Sequence, residues 1–339
     1  MSLFHHKHIN TRWFRAVGAM MGAVVGVGIF GLPYAFAQSG FLIGALQLLV
    51  IGVFILLLLL MYAEVAVQTP GRHRLVGYVR LYLGRKWGYI AAVVFAASIW
   101  SAAIAYLIVG GDFLHTLLLP IIDIPVVFTS LGLAALVGLF TYKGISFLAR
   151  WEMYIAAVLL FLFIFIILAA LPHVQIGNLI TFEPGGSTIV YGVILFALGG
   201  TGIIPELKDI LGRRMKHHLP HIVLVGHIVI VILYLLFAGV ILGVTGVSTS
   251  QNAFATLIPI IGPAFGIITA LLGTLTIASI FSILSIELID TLHFDFKMPM
   301  RQSWFLTLFV PIILFIFGVR SFIDVAGFAG AVFGGATAV

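Results

Sequence analysis

Long apolar runs, separated by short polar or basic stretches, make up almost the whole chain. Each run reaches about 20 residues, the length that an α-helix needs to cross a bilayer. The pattern therefore predicts about ten membrane-spanning helices. In chain order their boundaries lie near residues 14–38, 41–68, 88–118, 125–142, 145–171, 188–211, 220–245, 262–290 and 302–319, with a last span starting near residue 322.

Composition and charge support this interpretation. The 339 residues are 62% hydrophobic and only 8% charged, whereas soluble domains carry about 25% charged residues. With the N-terminus on the cytoplasmic side, Arg320 is the one residue of the 17 Lys and Arg that falls outside. We therefore expect a multi-pass protein of the cell (inner) membrane with a cytoplasmic N-terminus, whose surroundings are the lipid bilayer. Cysteine is absent, which excludes disulfides and thiolate metal sites.

Two spans carry helix-breaking residues where a membrane helix should be most regular. The first span holds Gly26, Gly28, Gly31 and Pro33 at its centre, and residues 196–206 (FALGGTGIIPE) repeat the anomaly in the sixth. A helix that opens at membrane depth leaves N–H and C=O groups that lipid cannot satisfy, so they must face protein or a watery cavity. Such a pair of interrupted spans indicates the binding site of a secondary transporter.

The position of the two breaks predicts the architecture. The first span runs outward and the sixth runs inward, so spans 1–5 and 6–10 form a five-plus-five inverted repeat. We expect one transmembrane domain over residues 1–339, with repeats at about 12–171 and 188–339. The last segment stops before a tenth crossing is complete, which predicts an incomplete tenth span and a chain truncated at its C-terminus.

Residues 26–40 (GVGIFGLPYAFAQSG) resemble the first-span signature of the amino acid–polyamine–organocation superfamily. The ending LPYAFAQSG resembles most closely the amino acid/auxin permease and aromatic amino acid permease branches. Residues 196–206 are similar to the sixth span of these branches, and residues 105–112 and 285–290 also fit. The resemblance covers nearly the whole chain and implies an all-α, leucine-transporter-type fold and amino acid uptake coupled to H⁺ or Na⁺. Members usually have eleven spans, which also points to truncation.

Backbone groups at the breaks predict a site for a zwitterion. The outer half of the first span begins near residues 28–30, where free N–H groups and the positive helix end suit a carboxylate. The outer half of the sixth span ends near residues 196–198, whose free carbonyls suit an ammonium group. The alternative is that the glycines serve only close helix packing. The candidate substrate-binding residues are Gly26, Gly28, Ile29, Phe30, Tyr106, Phe196, Ala197, Leu198 and Gly200.

Side chains around the breaks bear on the substrate. The family pattern implies that the Tyr106 hydroxyl faces the carboxylate, and Phe196 is a candidate outer lid; each is alternatively a plain core residue. No charged side chain lies at the midplane, which favours neutral amino acids, and the family branch implies large or aromatic ones.

The coupling ion is left open between H⁺ and Na⁺. In this family sodium usually binds between first-span carbonyls, here near Ala23, and a pair of eighth-span hydroxyls, of which only Ser279 remains. Thr276, one turn earlier, is a possible replacement. Glu206, just beyond the second break, is the candidate proton carrier. The incomplete sodium pattern favours protons, although the lysine that some proton-coupled relatives place in the fifth span is also missing.

Ionisable residues near the inner membrane half are costly and usually paired or functional. Glu287 or Asp290, paired with Arg12 or Arg15, would form a latch that holds the inner gate shut. The alternative is ion pairing near the headgroups without a role in transport. Two connections are also expected to be helical: residues 71–87 as an amphipathic helix at the membrane surface, and residues 247–257 as a short helix over the outer mouth.

Other classes of function fit less well. A membrane enzyme of the desaturase type needs several histidine boxes, and the one cluster, residues 217–221 (HHLPH), is typical of a cytoplasmic loop. A divalent-metal transporter of the same fold would need metal-ligating side chains at the breaks, and an amino acid sensor would need a long regulatory tail. We therefore expect a symporter, not an enzyme, that moves amino acids by alternating access, with no catalytic residue, metal site, cofactor or nucleic acid partner.

Overall fold

The computed structural model describes residues 2–143, 148–182, 184–251 and 253–335. These residues are almost entirely helical, as expected where lipid cannot satisfy free backbone groups. The α-helices are α1 (Ser2–Val24), α2 (Leu32–Ser39), α3 (Phe41–Gln68), α4 (Leu75–Leu83), α5 (Arg85–Leu118), α6 (Val126–Lys143), α7 (Leu148–Ala170), α8 (Ser187–Ala197), α9 (Ile203–Met215), α10 (Leu219–Thr245), α11 (Ile258–Ile261), α12 (Pro263–Asp290), α13 (Met300–Ile316) and α14 (Phe322–Ala329).

The helices fall into three groups by length and composition. Four stretches are long and apolar enough to cross a membrane: Phe41–Gln68, Arg85–Leu118, Ile203–Ser248 and Pro263–Phe294. A fifth arises if the bent pair Arg12–Val24 and Val27–Ser39 is counted as one span. The shorter apolar helices are Val126–Tyr142, Ala157–His173, Ser187–Ala197, Met300–Ile316 and Phe322–Gly334. Each predicted span overlaps at least one of these helices.

The helices pack around the two interrupted spans. Helix α1 lies against α7, α9 and α10, α8 lies against α2 and α14, and α5 runs beside α12. The outward faces stay apolar: Phe54 on α3 is 63% exposed and Leu236 on α10 is 52% exposed. Large apolar side chains exposed in this way suit the surroundings of a membrane-spanning protein.

The two predicted connecting helices have different outcomes. Helix α4 forms within residues 71–87, with Val76 and Tyr78 buried beneath it. The predicted helix over residues 247–257 is wrong, because the described residues of this segment form the end of a 3₁₀ turn (Gly246–Ser248) and then bends and turns. The Thr249 hydroxyl donates to the Gly246 carbonyl at 2.6 Å, and such local bonds compete with helix formation.

The tenth predicted span is helical as far as the structure describes it. Helix α14 continues into a π-helical turn, Gly330–Gly334. The predicted truncation concerns the end of this span, and residues 336–339 lie outside the described residues.

Candidate substrate-binding site

The first span is interrupted directly after Val24. The Val25 N–H still donates to the Met21 carbonyl at 2.9 Å, but Gly26 is extended, with φ −115° and ψ −151°. A 3₁₀ turn (Val27–Gly31) then leads into α2, and the two halves of the span meet at 51°. The break therefore leaves backbone groups unpaired on both sides, as the glycine pattern predicts.

The sixth span is interrupted after Ala197. The Leu198 N–H donates to the Ile194 carbonyl at 2.9 Å, and the helix resumes at Ile203. Pro205 lies in the first turn of α9, where a missing N–H costs little. The last carbonyls of α8 and the first N–H groups of α9 thus have no complete set of helical partners.

The two breaks touch each other through their backbones. A Cβ atom on Gly28 would lie 2.6 Å from the Cα atom of Ala197, and one on Gly200 would lie 2.5 Å from a methyl carbon of Val24. Real Cβ atoms essentially never come so close to another atom. Glycine is therefore required at position 28 for the first span to lie against the sixth.

Tyr106, on α5, closes one side of the junction. Its hydroxyl oxygen would lie 2.5 Å from a Cβ on Gly26, the residue directly before Val27. Its ring stacks on Phe281 of α12, with centroids 5.9 Å apart. The hydroxyl thus lies at the first break.

A cavity of about 180 Å³ lies at the junction. It is lined by predicted substrate residues from both breaks and from α5: Gly26, Gly28, Tyr106, Phe196, Ala197 and Gly200. The rest of its wall is mostly apolar, comes from α1, α5, α7, α8, α9, α12 and α14, and includes two carboxyl side chains. These further residues include Phe95, Ser98, Ile99, Ala102, Ile280, Ile283, Leu284, Glu206 and Glu287.

Three predicted substrate residues turn their side chains away from the cavity. Ile29 and Leu198 are fully buried. The Phe30 ring packs into an aromatic cluster from its own 3₁₀ turn, three helices and one loop, at centroid distances of 5.0–6.2 Å from its neighbours. This outer aromatic cluster consists of Phe30, Phe113, Phe163, Phe237 and Phe254. None of these five side chains lines the cavity.

The predicted coupling residues divide into two pairs. Ala23 and Glu206 line the cavity. The Thr276 hydroxyl donates to the Leu272 carbonyl, and the Ser279 hydroxyl donates to the Leu275 carbonyl at 2.8 Å. Both hydroxyl protons are therefore directed at carbonyls of their own helix.

The structure does not bring the predicted latch residues together. Arg12 and Arg15 are exposed, and a guanidinium nitrogen of Arg12 lies 3.6 Å from the Cβ position of Gly212 on α9. Glu287 lies in the cavity, 2.9 Å from the Cβ position of Gly202. Within the described part of the chain, no ion pair joins either arginine to Glu287 or Asp290.

Sequence reasoning missed one residue at the junction, Tyr234 on α10. Its hydroxyl lies 3.0 Å from the Val24 carbonyl and 2.9 Å from the Ala197 carbonyl, one at each break. The available signal was a single hydroxyl inside the otherwise apolar run 228–240 (IVIVILYLLFAGV). A lone phenol there needs a buried partner, but the sequence does not say which one.

Solved structures share this fold. The structure of MhsT in complex with L-phenylalanine superposes with a TM-score of 0.70 at 16% identity, over 95% of this chain and 86% of that one. The inward-facing conformation of Mhp1 gives 0.75 at 13% identity, over 96% of this chain and 75% of that one. A mutant of the manganese transporter from Eremococcus coleocola gives 0.65 at 13% identity, over 97% and 77%. The expected leucine-transporter-type fold is thereby confirmed.

Sequence comparison adds the family. Among curated proteins, none matches the chain. The model of the tryptophan/tyrosine permease family matches residues 10–339. With the interrupted spans and the transporter fold, this match makes the protein a multi-pass secondary transporter of amino acids and not an enzyme. The chain belongs to the tryptophan/tyrosine permease family.

Proposed function

We propose that this permease moves neutral amino acids with large, aromatic side chains across the cell membrane by alternating access, driven by protons. The observation that carries the proposal is the meeting of two interrupted spans at one cavity, where the residues of the breaks themselves, 25–26 and 198–202, carry no charged side chain. The family description and the resemblance of residues 26–40 to the aromatic amino acid permease branch support the choice of substrate.

The backbone at the breaks supplies groups for both ends of a zwitterion. The helical segment that starts at Val27 has free N–H groups in its first turn, and these suit a carboxylate, with the Tyr106 hydroxyl beside them. The carbonyls of Phe196 and Ala197, at the end of α8, each have two lone pairs, so they can accept from an ammonium group as well as from the protein.

The apolar wall suits the side chain of the substrate. Phe95, Ile99 and Ala102 of α5 face Ile280 and Leu284 of α12 across the cavity. Binding sites for small molecules are typically apolar with a few polar groups that fix orientation. We place an aromatic ring between these two helices, with Phe196 as its lid.

Glu206 and Glu287 are the proposed proton carriers. Both line the cavity, and neither forms an ion pair with any described residue. A carboxyl group in such a place can exchange a proton with cavity water, and it is more easily buried neutral than charged. A sodium site is disfavoured because the hydroxyls of Thr276 and Ser279 already donate within their own helix.

The proposed orientation in the membrane follows from the distribution of basic residues. The basic connections belong on the cytoplasmic side, so the N-terminus is cytoplasmic. Glu206 and Glu287, which line the cavity, lie in the inner halves of their spans in this orientation. We therefore take the described conformation to be open to the cytoplasm, with the outer aromatic cluster closing the outer side.

Uptake into proteoliposomes tests the proposal. We expect labelled L-tryptophan, L-tyrosine or L-phenylalanine to accumulate under an imposed pH gradient, and L-lysine and L-glutamate not to. Accumulation under a sodium gradient alone would contradict proton coupling. Binding of an aromatic amino acid without uptake would indicate a sensor.

The carboxyl assignment has its own test. Glu287→Gln should abolish accumulation driven by the pH gradient while exchange of labelled for unlabelled substrate persists. Asp290→Asn, one turn further along α12 and outside the cavity wall, is the matched control and should behave as wild type. Unchanged pH-driven accumulation in Glu287→Gln would remove Glu287 from the coupling mechanism.

A further inference from the structure

One buried hydroxyl is in contact with both interrupted spans. Tyr234 is fully buried, and its oxygen lies 3.0 Å from the carbonyl of Val24 and 2.9 Å from that of Ala197. Val24 is the last residue of α1, and Ala197 is the last residue of α8. The two acceptors are therefore end carbonyls, which have no regular helical partner.

The two acceptors belong to pieces of different spans. Val24 ends the inner half of the first span, and Ala197 ends the outer half of the sixth. The tyrosine comes from a third, uninterrupted helix, α10. A phenol has one proton, so the two carbonyls share it. The hydroxyl thus links both breaks to a rigid element.

We propose that Tyr234 is a positioning residue for the substrate site: its hydroxyl fixes the ends of α1 and α8 relative to each other, and thereby the backbone groups that face the substrate. The inference rests on the proposed function, because it concerns the same site. Tyr234 does not line the cavity, so it acts through the two breaks and not by touching the substrate.

Loss of the hydroxyl has a predictable effect. Tyr234→Phe keeps the ring and its packing but leaves the buried Ala197 carbonyl without a donor, and the Val24 carbonyl with only the Gly26 N–H, at 2.9 Å. Leaving buried acceptors unsatisfied is costly, and part of that cost is relieved if the breaks separate. A looser junction presents the N–H groups near Val27 less favourably to a carboxylate, so binding weakens while the helices remain assembled.

Kinetics of uptake separate positioning from mere stabilisation. We expect Tyr234→Phe to raise the KM for the aromatic substrate roughly tenfold, with the maximal rate per inserted molecule changed much less. The matched control is Tyr62→Phe, whose hydroxyl is buried but has no hydrogen-bond partner in the described residues. The control should stay within about twofold of wild type. A KM for Tyr234→Phe equal to that of the control would overturn the proposal.

A second readout needs no substrate. The chain contains no cysteine, so a single Thr201→Cys substitution in the second break gives one labelling site on the cavity wall. We expect Tyr234→Phe to speed thiol labelling at this position severalfold, and Tyr62→Phe to leave it unchanged. Equal labelling rates in Tyr234→Phe and Tyr62→Phe would refute the positioning role, even if the wild-type protein transports a different substrate. Failure of wild-type uptake alone would refute only the proposed function.

If Tyr234→Phe does not insert into the membrane, a milder replacement still tests the positioning role. 3-Fluorotyrosine incorporated at position 234 keeps the ring and the hydroxyl and makes the phenol a stronger donor. A changed labelling rate at Thr201→Cys, compared with the same replacement at position 62, supports the positioning role. An unchanged rate contradicts it.

Discussion

Gly28→Ala adds one methyl group at the place where the two interrupted spans meet. The new Cβ would lie 2.6 Å from the Cα, 3.0 Å from the Cβ and 3.2 Å from the amide nitrogen of Ala197. Two of these three atoms belong to the backbone, so no side-chain rotation can relieve the overlap. The substitution therefore acts on the distance between the first and sixth spans.

The size of the effect follows from contact distances. Carbon atoms in contact normally lie about 3.5–4.0 Å apart, so the two backbones must separate by about 1 Å. Overpacking of this kind costs roughly 1–3 kcal/mol. If that cost falls on the substrate-bound state, in which both breaks are engaged, affinity decreases about 5- to 150-fold.

The assay is equilibrium binding of labelled L-tryptophan to purified protein, together with thermal unfolding. Gly18→Ala is the matched control, because Gly18 lies in the same span and a Cβ there has no other atom within 4 Å. We expect the control to bind normally and to gain up to about 1 kcal/mol from helix propensity. Wild-type affinity and unfolding temperature in Gly28→Ala would refute the close approach of the breaks.

Two further predictions concern the surroundings of the site. Lys208 donates to the carbonyls of Thr69 at 2.9 Å and Gly71 at 3.1 Å, at the C-terminal end of α3, so Lys208→Met should lower stability by about 1–2 kcal/mol with substrate binding retained. Thermal unfolding checks this, with exposed Lys86→Met as the control. Phe30→Ala removes the centre of the outer aromatic cluster, so a thiol-reactive reagent added from outside should label Thr201→Cys faster; an unchanged rate would show that the cluster does not close the cavity.

The interruptions could be predicted because their cause is local. Glycine and proline disturb a helix wherever they stand, and the apolar runs fix the ends of a span, so predicted span 41–68 coincides with helix Phe41–Gln68. The proposed role of the backbone groups at residues 26–28 and 196–200 in substrate binding follows from the same local chemistry.

The direction of side chains could not be predicted, because it depends on neighbours that are distant in sequence. Phe30 turns into the outer aromatic cluster, and Tyr234 reaches carbonyls 210 and 37 residues away. Glu287 lines the cavity, and among the described residues no ion pair joins it to Arg12 or Arg15. These contacts depend on how the helices pack against each other, which the hydrophobic periodicity of a single helix does not reveal.

A structure determined with L-tryptophan bound tests the central claim most directly. The account predicts both spans interrupted, the carboxylate within about 3 Å of backbone N–H groups in residues 27–30, and the ammonium within about 3 Å of carbonyls in residues 196–198. Two continuous helices, or a ligand bound away from the junction of the first and sixth spans, would contradict it.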